Sequence, residues 1–460
     1  MAFFTRILNP EPVLPRERQL FSDRALQAMI LPLMIEQLLQ LIVGIADTMM
    51  VSYAGEATVS GVSLDTMLYT IFIYLFIAVA TGGAVVVSQY IGSRNRERAE
   101  LAASQIYLIA GVVSFVCMLL ALVFGRSVLN LLYPHVEQEV MSACVVYLQI
   151  VTLSFPANAL YNAGAAIYRS MGRTRVTMYV SMAMNLLNVI GNAIGIFVLR
   201  AGAAGVAWPT TLSWYFAAAV MTVLCMNPKS QVTLDLQKAV RPNRDMVQRI
   251  LHLALPNAVE NTLFQIAKVF LGALIATFGT SQIAANGIGQ TLWSLAACMC
   301  MSMGPACITV IGQCIGANDP DAAKWYLKKL TRLLLILAFV WNALVLMLVP
   351  FILPLYSITE ETRHLIWIIV IIHNVFAAIV QPFASTFSCG LRAAGDVRYT
   401  MCSALFATVV CRTTLSFLFG LHFHMGVIGI ALAMGMDWCI KSLLDSTRWR
   451  SEKWKKVKVI

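Results

Sequence analysis

The chain is built from apolar runs that are too long and too many for a soluble core. They lie at 27–53, 64–91, 102–124, 141–168, 176–199, 203–225, 250–278, 288–315, 326–355, 364–391, 399–420 and 425–444. A helix that crosses a bilayer needs about 20 mostly apolar residues. In lipid, only a helix or a closed barrel satisfies its own backbone polar groups. The period-two alternation of a membrane barrel is absent. Charge decides the class. Charged residues make up 12% of the chain and hydrophobic residues 59%, against roughly 25% charged in soluble domains. The sequence therefore predicts an all-α, polytopic membrane protein with twelve transmembrane helices.

Basic residues orient those helices. With both termini cytoplasmic, 33 Lys and Arg fall almost entirely on one side, as the positive-inside rule requires. The exceptions are Arg126, Arg200 and Arg363 in outer loops, and Lys268 and Arg412 inside helices. The net charge of +11 is thus a topology signal and not a nucleic-acid footprint. The expected location is a cell (inner) membrane. The tail "RWRSEKWKKVKVI" sets Trp449 and Trp454 among cations, which suits an anionic leaflet as well as water. The start of the chain, with Pro10, Pro12, Pro15 and alternating charges, does not read as a cleavable signal peptide. The eleven cysteines lie in or beside apolar runs and read as small packing residues rather than a disulfide framework.

The chain also repeats itself. A shift of 224 residues carries Leu31-Pro32 onto Leu255-Pro256, Glu36 onto Glu260, Gly55 onto Gly279, and "QYIGSRN" onto "QCIGAND". "YRSMGRTR" matches "LRAAGDVR" at a shift of 223, and Trp214 matches Trp438 at 224. Six helices per unit is an even number, so both halves enter the bilayer in the same direction. That is a parallel repeat about an axis along the membrane normal. The expected division is a cytoplasmic segment 1–26, an N-lobe 27–226, a polar cytoplasmic linker 227–249, a C-lobe 250–445 and a basic tail 446–460.

Polar residues inside the apolar runs mark candidate function, because acids and cations in membrane helices face an interior or a wet cavity. On helix 1, Glu36, Gln40 and Asp47 share one face, with Gln37 beside them. The two acids are about 16 Å apart along the axis. Asp47 is either a coupling carboxylate or a structural acid held by a fixed partner. Glu36 recurs as Glu260, which suits a role common to both lobes as well as a coupling role. On helix 7, Asn261, Gln265 and Lys268 share a face, next to Glu260. Lys268 is read either as a remade partner of Asp47 or Glu260, or as half of a permanent ion pair. Asn185, Asn188 and Asn192 form one stripe on helix 5, lining a cavity or joining helices. The corresponding part of the C-lobe offers Arg412, with Asp437 as a candidate neutraliser. His373 and Asn374 sit in helix 10, and the His reads first as a packing residue.

The pieces "LP…EQLLQ…ADTMMVSYAG", "VSQYIGSRNRERA" and "YRSMGRTR", with their echoes "LPNAVENTLFQ", "VIGQCIGANDPDAAK" and "LRAAGDVR", resemble the multidrug and toxic compound extrusion (MATE) family. The resemblance runs from about residue 25 to 445. It implies a V-shaped pair of six-helix lobes that export organic compounds, cations among them, in exchange for H⁺ or Na⁺. It also assigns Asp47 to the family's helix-1 aspartate, used in cation coupling. In sodium-coupled NorM-type members a helix-7 glutamate lies further past the proline. Here Glu260 is four residues after Pro256, the later position holds Phe264, and helix 10 lacks a carboxylate. The resemblance is therefore closer to DinF-like members, with H⁺ favoured over Na⁺.

The expected function is secondary active efflux by alternating access. Asp47 is the protonation switch, with Glu36 and Glu260 as further coupling candidates. Gln37, Gln40, Asn185, Asn188, Asn192, Asn261, Gln265, Lys268 and Arg412 are expected to line the cavity. The partners implied are a small organic substrate and membrane lipids, for a monomer. No nucleotide-binding G-x-x-x-x-G-K-[ST] and no H-E-x-x-H occurs, so no cofactor, resident metal or enzyme activity is expected. His422 and His424 lack a third ligand. The alternative is a flippase for a lipid or lipid-linked saccharide. Such flippases tend to have extra helices and a strongly cationic cavity.

Overall fold

The structure is a computed structural model that describes residues 10–11, 14–134, 136–356 and 358–460. Arg6 and Pro12 of the expected N-terminal segment lie outside the described residues. The helices are α1 (Asp23–Ser52), α2 (Glu56–Gly92), α3 (Arg96–Leu132), α4 (Gln138–Thr152), α5 (Phe155–Ser170), α6 (Thr174–Val198) and α7 (Gly202–Cys225). The short α8 (Leu236–Val240) is followed by α9 (Arg244–Ala276), α10 (Thr280–Gly316), α11 (Pro320–Ile352), α12 (Glu360–Ile379), α13 (Gln381–Ala393), α14 (Val397–His422) and α15 (Gly426–Arg450). No strand occurs among the described residues.

Ten of these helices are long and apolar enough to cross a membrane, and α4 with α5, bent by 47°, makes up to eleven. Twelve were expected. The difference is α7, where Trp208, Pro209, Thr210, Thr211, Trp214 and Tyr215 lower the hydropathy. Two expected helices are broken rather than continuous. The run 141–168 divides ahead of Pro156, and the run 364–391 divides ahead of Pro382. Proline lacks the backbone N–H and clashes with the carbonyl four residues back, so a new helix starts around it.

The chain forms two compact units. One holds Gln27–Ala258. The other holds Val259–Ile460 together with the described residues up to Leu26. Within the second unit the N-terminal segment packs on α11. Trp325 Nε1 donates to the Pro10 carbonyl (3.1 Å), and Tyr326 Oη donates to the Phe21 carbonyl (2.8 Å). Asp23 pairs with Lys329, and Arg18 with Asp319. Within the first unit the polar stretch before α9 is tied to α3. Gln105 Nε2 donates to the carbonyls of Lys238 (2.8 Å) and Arg241 (3.0 Å).

The sequence repeat is reproduced as local structure. Gly55 and Gly279, 224 residues apart, both have φ near +100° (103° and 100°) and open α2 and α10. That conformation favours glycine because a Cβ would clash. Asn95 and Asp319 both cap the next helix, accepting from the N–H of Arg98 and Ala322. Packing repeats too. In the first unit α2 lies against α3, α4 and α5, and in the second α10 lies against α11, α12 and α13.

Small residues let α6 and α7 touch backbone to backbone, as membrane helix interfaces often require. A Cβ on Gly205 would sit 2.6 Å from the Gly195 carbonyl oxygen. Gly205→Val is therefore expected to cost about 1–3 kcal/mol by overpacking. The check is a lower melting temperature of the purified protein in detergent. An unchanged melting temperature would contradict this contact.

Candidate functional site

Each unit carries a buried glutamate locked to an arginine. In the first, Glu36 is 3% exposed. Its Oε1 accepts from Arg169 Nη2 at 2.7 Å, and its Oε2 from Thr177 at 3.3 Å. In the second, Glu260 Oε1 accepts from Arg392 Nη2 at 2.6 Å and from Lys441 Nζ at 3.2 Å. Glu36 and Glu260 are repeat partners, and so are Arg169 and Arg392. The same ion pair has been kept twice. The partnership of Glu260 with Lys268 is not formed, because Arg392 and Lys441 already occupy the carboxylate. Neither glutamate lines the cavity described next.

Asp47 is set differently. It lies in the wall of a cavity of about 570 Å³ in the first unit, with Thr48, Tyr69, Tyr147, Asn185, Asn188 and Thr210 among the lining residues. Asn192, fully buried behind it, donates to Asp47 Oδ1 at 3.0 Å. The bonding pattern turns the Asn188 amide nitrogen toward Asp47. It then donates to both carboxylate oxygens at 3.1 Å, while its carbonyl accepts from Thr210 at 3.0 Å. Among the described residues of its own unit, Asp47 has no cation at ion-pair distance. Its partners are amides, which can hold either a carboxylate or a carboxylic acid.

The asparagine stripe thus splits in function. Asn185 and Asn188 line the cavity, whereas Asn192 supports the acid from behind. Gln37 and Gln40 are not in this wall. Gln40 lies two turns from Asp47, about 10 Å along α1, and is exposed, while Gln37 is half-buried. Thr210, Tyr69 and Tyr147 were not singled out from sequence. Asp65 was missed as well. It sits on α2, is 0% exposed, and neither carboxylate oxygen has a hydrogen-bond partner among the described residues.

In the second unit the charge has the opposite sign. Arg412 on α14 is 5% exposed. Its Nη1 lies 3.9 Å from Asp437 Oδ2, and Nη2 contacts the Met434 sulfur at 3.0 Å. The expected neutraliser Asp437 is therefore its partner, and the Phe264 ring lies beneath the guanidinium at 6.0 Å. At a shift of 224, Arg412 and Met434 fall on Asn188 and Thr210, the pair that backs Asp47. Lys268 on α9 is exposed and has no carboxylate at ion-pair distance among the described residues of its unit. Asn261 and Gln265 are half-buried on the same helix. His373 is buried with both ring nitrogens unpartnered among the described residues, and Asn374 donates to the Val370 carbonyl at 2.8 Å. No cluster of metal-ligating side chains occurs among the described residues.

The chain is similar over almost its whole length to other transporters. It is 28% identical to the uncharacterized transporter YisQ of Bacillus subtilis, covering 92% of this chain and 93% of that one. It is 25% identical to the probable multidrug resistance protein NorM of Thermotoga maritima, covering 97% and 96%. A solved MOP superfamily transporter from Pyrococcus furiosus shares the fold with a TM-score of 0.86 at 19% identity over 98% of both chains. The binding pocket of that transporter has a reverse polarity, which suggests a different function for it. The family model MatE matches residues 32–194 and again 256–418, one copy per half at the 224-residue offset, and the chain belongs to the MatE family.

Proposed function

We propose that this protein exports small organic compounds across a cell membrane in exchange for a cation, with H⁺ favoured over Na⁺ and Asp47 as the protonation switch. The observation that carries this reading is the contrast between its acids. Glu36 and Glu260 are neutralised by arginine, whereas Asp47 faces a cavity and, among the described residues of its unit, is held by Asn188 and Asn192. A fixed arginine makes proton binding costly. Two amides do not. The relatives named as probable multidrug resistance proteins support efflux of organic compounds as the direction and cargo.

In this reading the two halves alternate in exposing a central path. Asp47 takes a proton from the outer side, and the protonated state favours release of the substrate. Loss of the proton inside resets the cycle. A bound ion shifts such an equilibrium only by its differential affinity for the two states. One proton supplies roughly 2.3 kcal/mol per 100 mV and about 1.4 kcal/mol per pH unit. The reading places both termini in the cytoplasm of a monomer in the inner membrane.

The test is dye efflux from proteoliposomes under an imposed pH gradient, compared with a Na⁺ gradient. The dyes should include cationic, neutral and anionic examples, because the acid Asp47 in the cavity wall favours a cationic cargo and the exposed Lys268 an anionic one. Efflux driven by the pH gradient and indifferent to Na⁺ is the expected result. Efflux driven by Na⁺ alone would reassign the coupling ion.

A further inference from the structure

Asp65 has no place in the reading above, yet it is the most completely buried acid near the cavity. Both carboxylate oxygens lack a partner among the described residues. Tyr69, one turn further along α2, lines the cavity, as does Val62, one turn before. Asp65 therefore lies on the cavity-facing stripe of α2, covered by its neighbours. Next to Val62, also one turn before Asp65, α2 and α4 are in close contact, since a Cβ on Gly61 would be 2.8 Å from the Cys144 backbone nitrogen.

Among the described residues, the titratable side chains around Asp65 are Tyr69 on its own helix, Tyr133 after α3, and Cys144 and Tyr147 on α4. None is a cation. From α5 and α7, which also pack on α2, Arg169 is committed to Glu36 at 2.7 Å and Tyr161 packs edge-on against Trp214. Tyr147 lies within electrostatic reach of both Asp65 and Asp47 and forms part of the cavity wall.

An ionised carboxylate without a cation or donor is among the costliest groups to bury. That cost is avoided if Asp65 holds a proton. The repeat separates it from the scaffold. Glu36 is matched by Glu260, but Asp47 falls on Leu271 and Asp65 on Gly289. Of Glu36, Asp47 and Asp65, the two without a repeat partner are the two beside the cavity.

We infer that Asp65 is a second proton-binding carboxylate of the first unit, loaded from the Asp47 cavity past Tyr69 and Tyr147, so that a transport cycle carries two protons. The proton comes from cavity water and returns to water, and no other reactant is needed. This rests on H⁺ being the coupling ion.

The test uses the full chain in proteoliposomes. Asp65→Asn keeps the shape of the neutral acid, and Asp65→Ser serves if the amide does not fold. Two quantities are read. The first is the ratio of protons to ethidium exchanged, from the pH gradient needed to hold a fixed dye gradient. The second is the infrared band of a buried carboxylic acid, taken as wild type minus variant. The expected result is a twofold fall in the ratio and a band that disappears as the pH is raised. An unchanged ratio would overturn the inference. So would a band that is missing, or one that persists unchanged into alkaline pH and marks a permanently protonated structural acid. Asp47→Asn is run in parallel. Wild-type coupling in that variant defeats the Asp47 assignment, while the infrared band still decides Asp65.

Discussion

Asp47→Asn is expected to abolish gradient-driven efflux while leaving a folded protein in the membrane. Asparagine has the size of the protonated acid. Its carbonyl oxygen can still accept from Asn192, which sits at 3.0 Å from the carboxylate. The cavity wall is kept, so dye binding should survive. What is lost is the ability to exist in two charge states, and with it the differential affinity that couples the proton to the conformational change. Efflux under a pH gradient should fall at least tenfold, toward the leak of empty liposomes, with an unchanged elution volume on size exclusion. Asp47→Glu tests the same point from the other side. It keeps the titrating group but is one methylene too long for the Asn188 and Asn192 amides, so partial coupling is expected. Wild-type efflux by Asp47→Asn would remove Asp47 from the mechanism.

Much of this was legible because a gapless repeat is a long-range signal. A shift of 224 residues fixes the equivalence of Gly55 with Gly279 and of Asn95 with Asp319, and each pair adopts the same conformation or cap. Less legible were features that depend on contacts between helices. Glu36 and Arg169 both stood out in the repeat. A helical wheel describes one helix at a time, however, and could not join residues 133 apart. Asp65 was hidden by a boundary. The polar stretch "EATVSGVS" reads as a loop, which put the start of helix 2 at 64 and left Asp65 at a wet helix end. In the structure α2 begins at Glu56, about 12 Å earlier along the axis, and Asp65 becomes an interior residue. Tertiary packing can override weak helix propensity in this way. The breaks before Pro156 and Pro382 did carry a local signal. The apolar runs around them masked it.

The glutamates should fail in a different manner from Asp47. Glu36→Ala leaves the Arg169 guanidinium half-buried without its acid. Breaking one side of a buried pair typically costs about 3–5 kcal/mol, so low yield and a markedly reduced melting temperature are expected. Glu260→Ala should be worse, because it strands both Arg392 and Lys441. The exchange Glu36→Arg with Arg169→Glu restores opposite charges in the same place and should recover part of the lost stability. Transport in the rescued protein is the informative reading. If Glu36 belongs to the scaffold, stability and pH-driven efflux return together. If stability returns but efflux does not, Glu36 is itself part of the proton path. Its arginine would then be a partner released during the cycle and not a permanent lock. Because the repeat has kept the same pair in the second unit, the corresponding exchange of Glu260 with Arg392 should follow the same rule. Lys441 remains there as a second cation to hold the relocated acid.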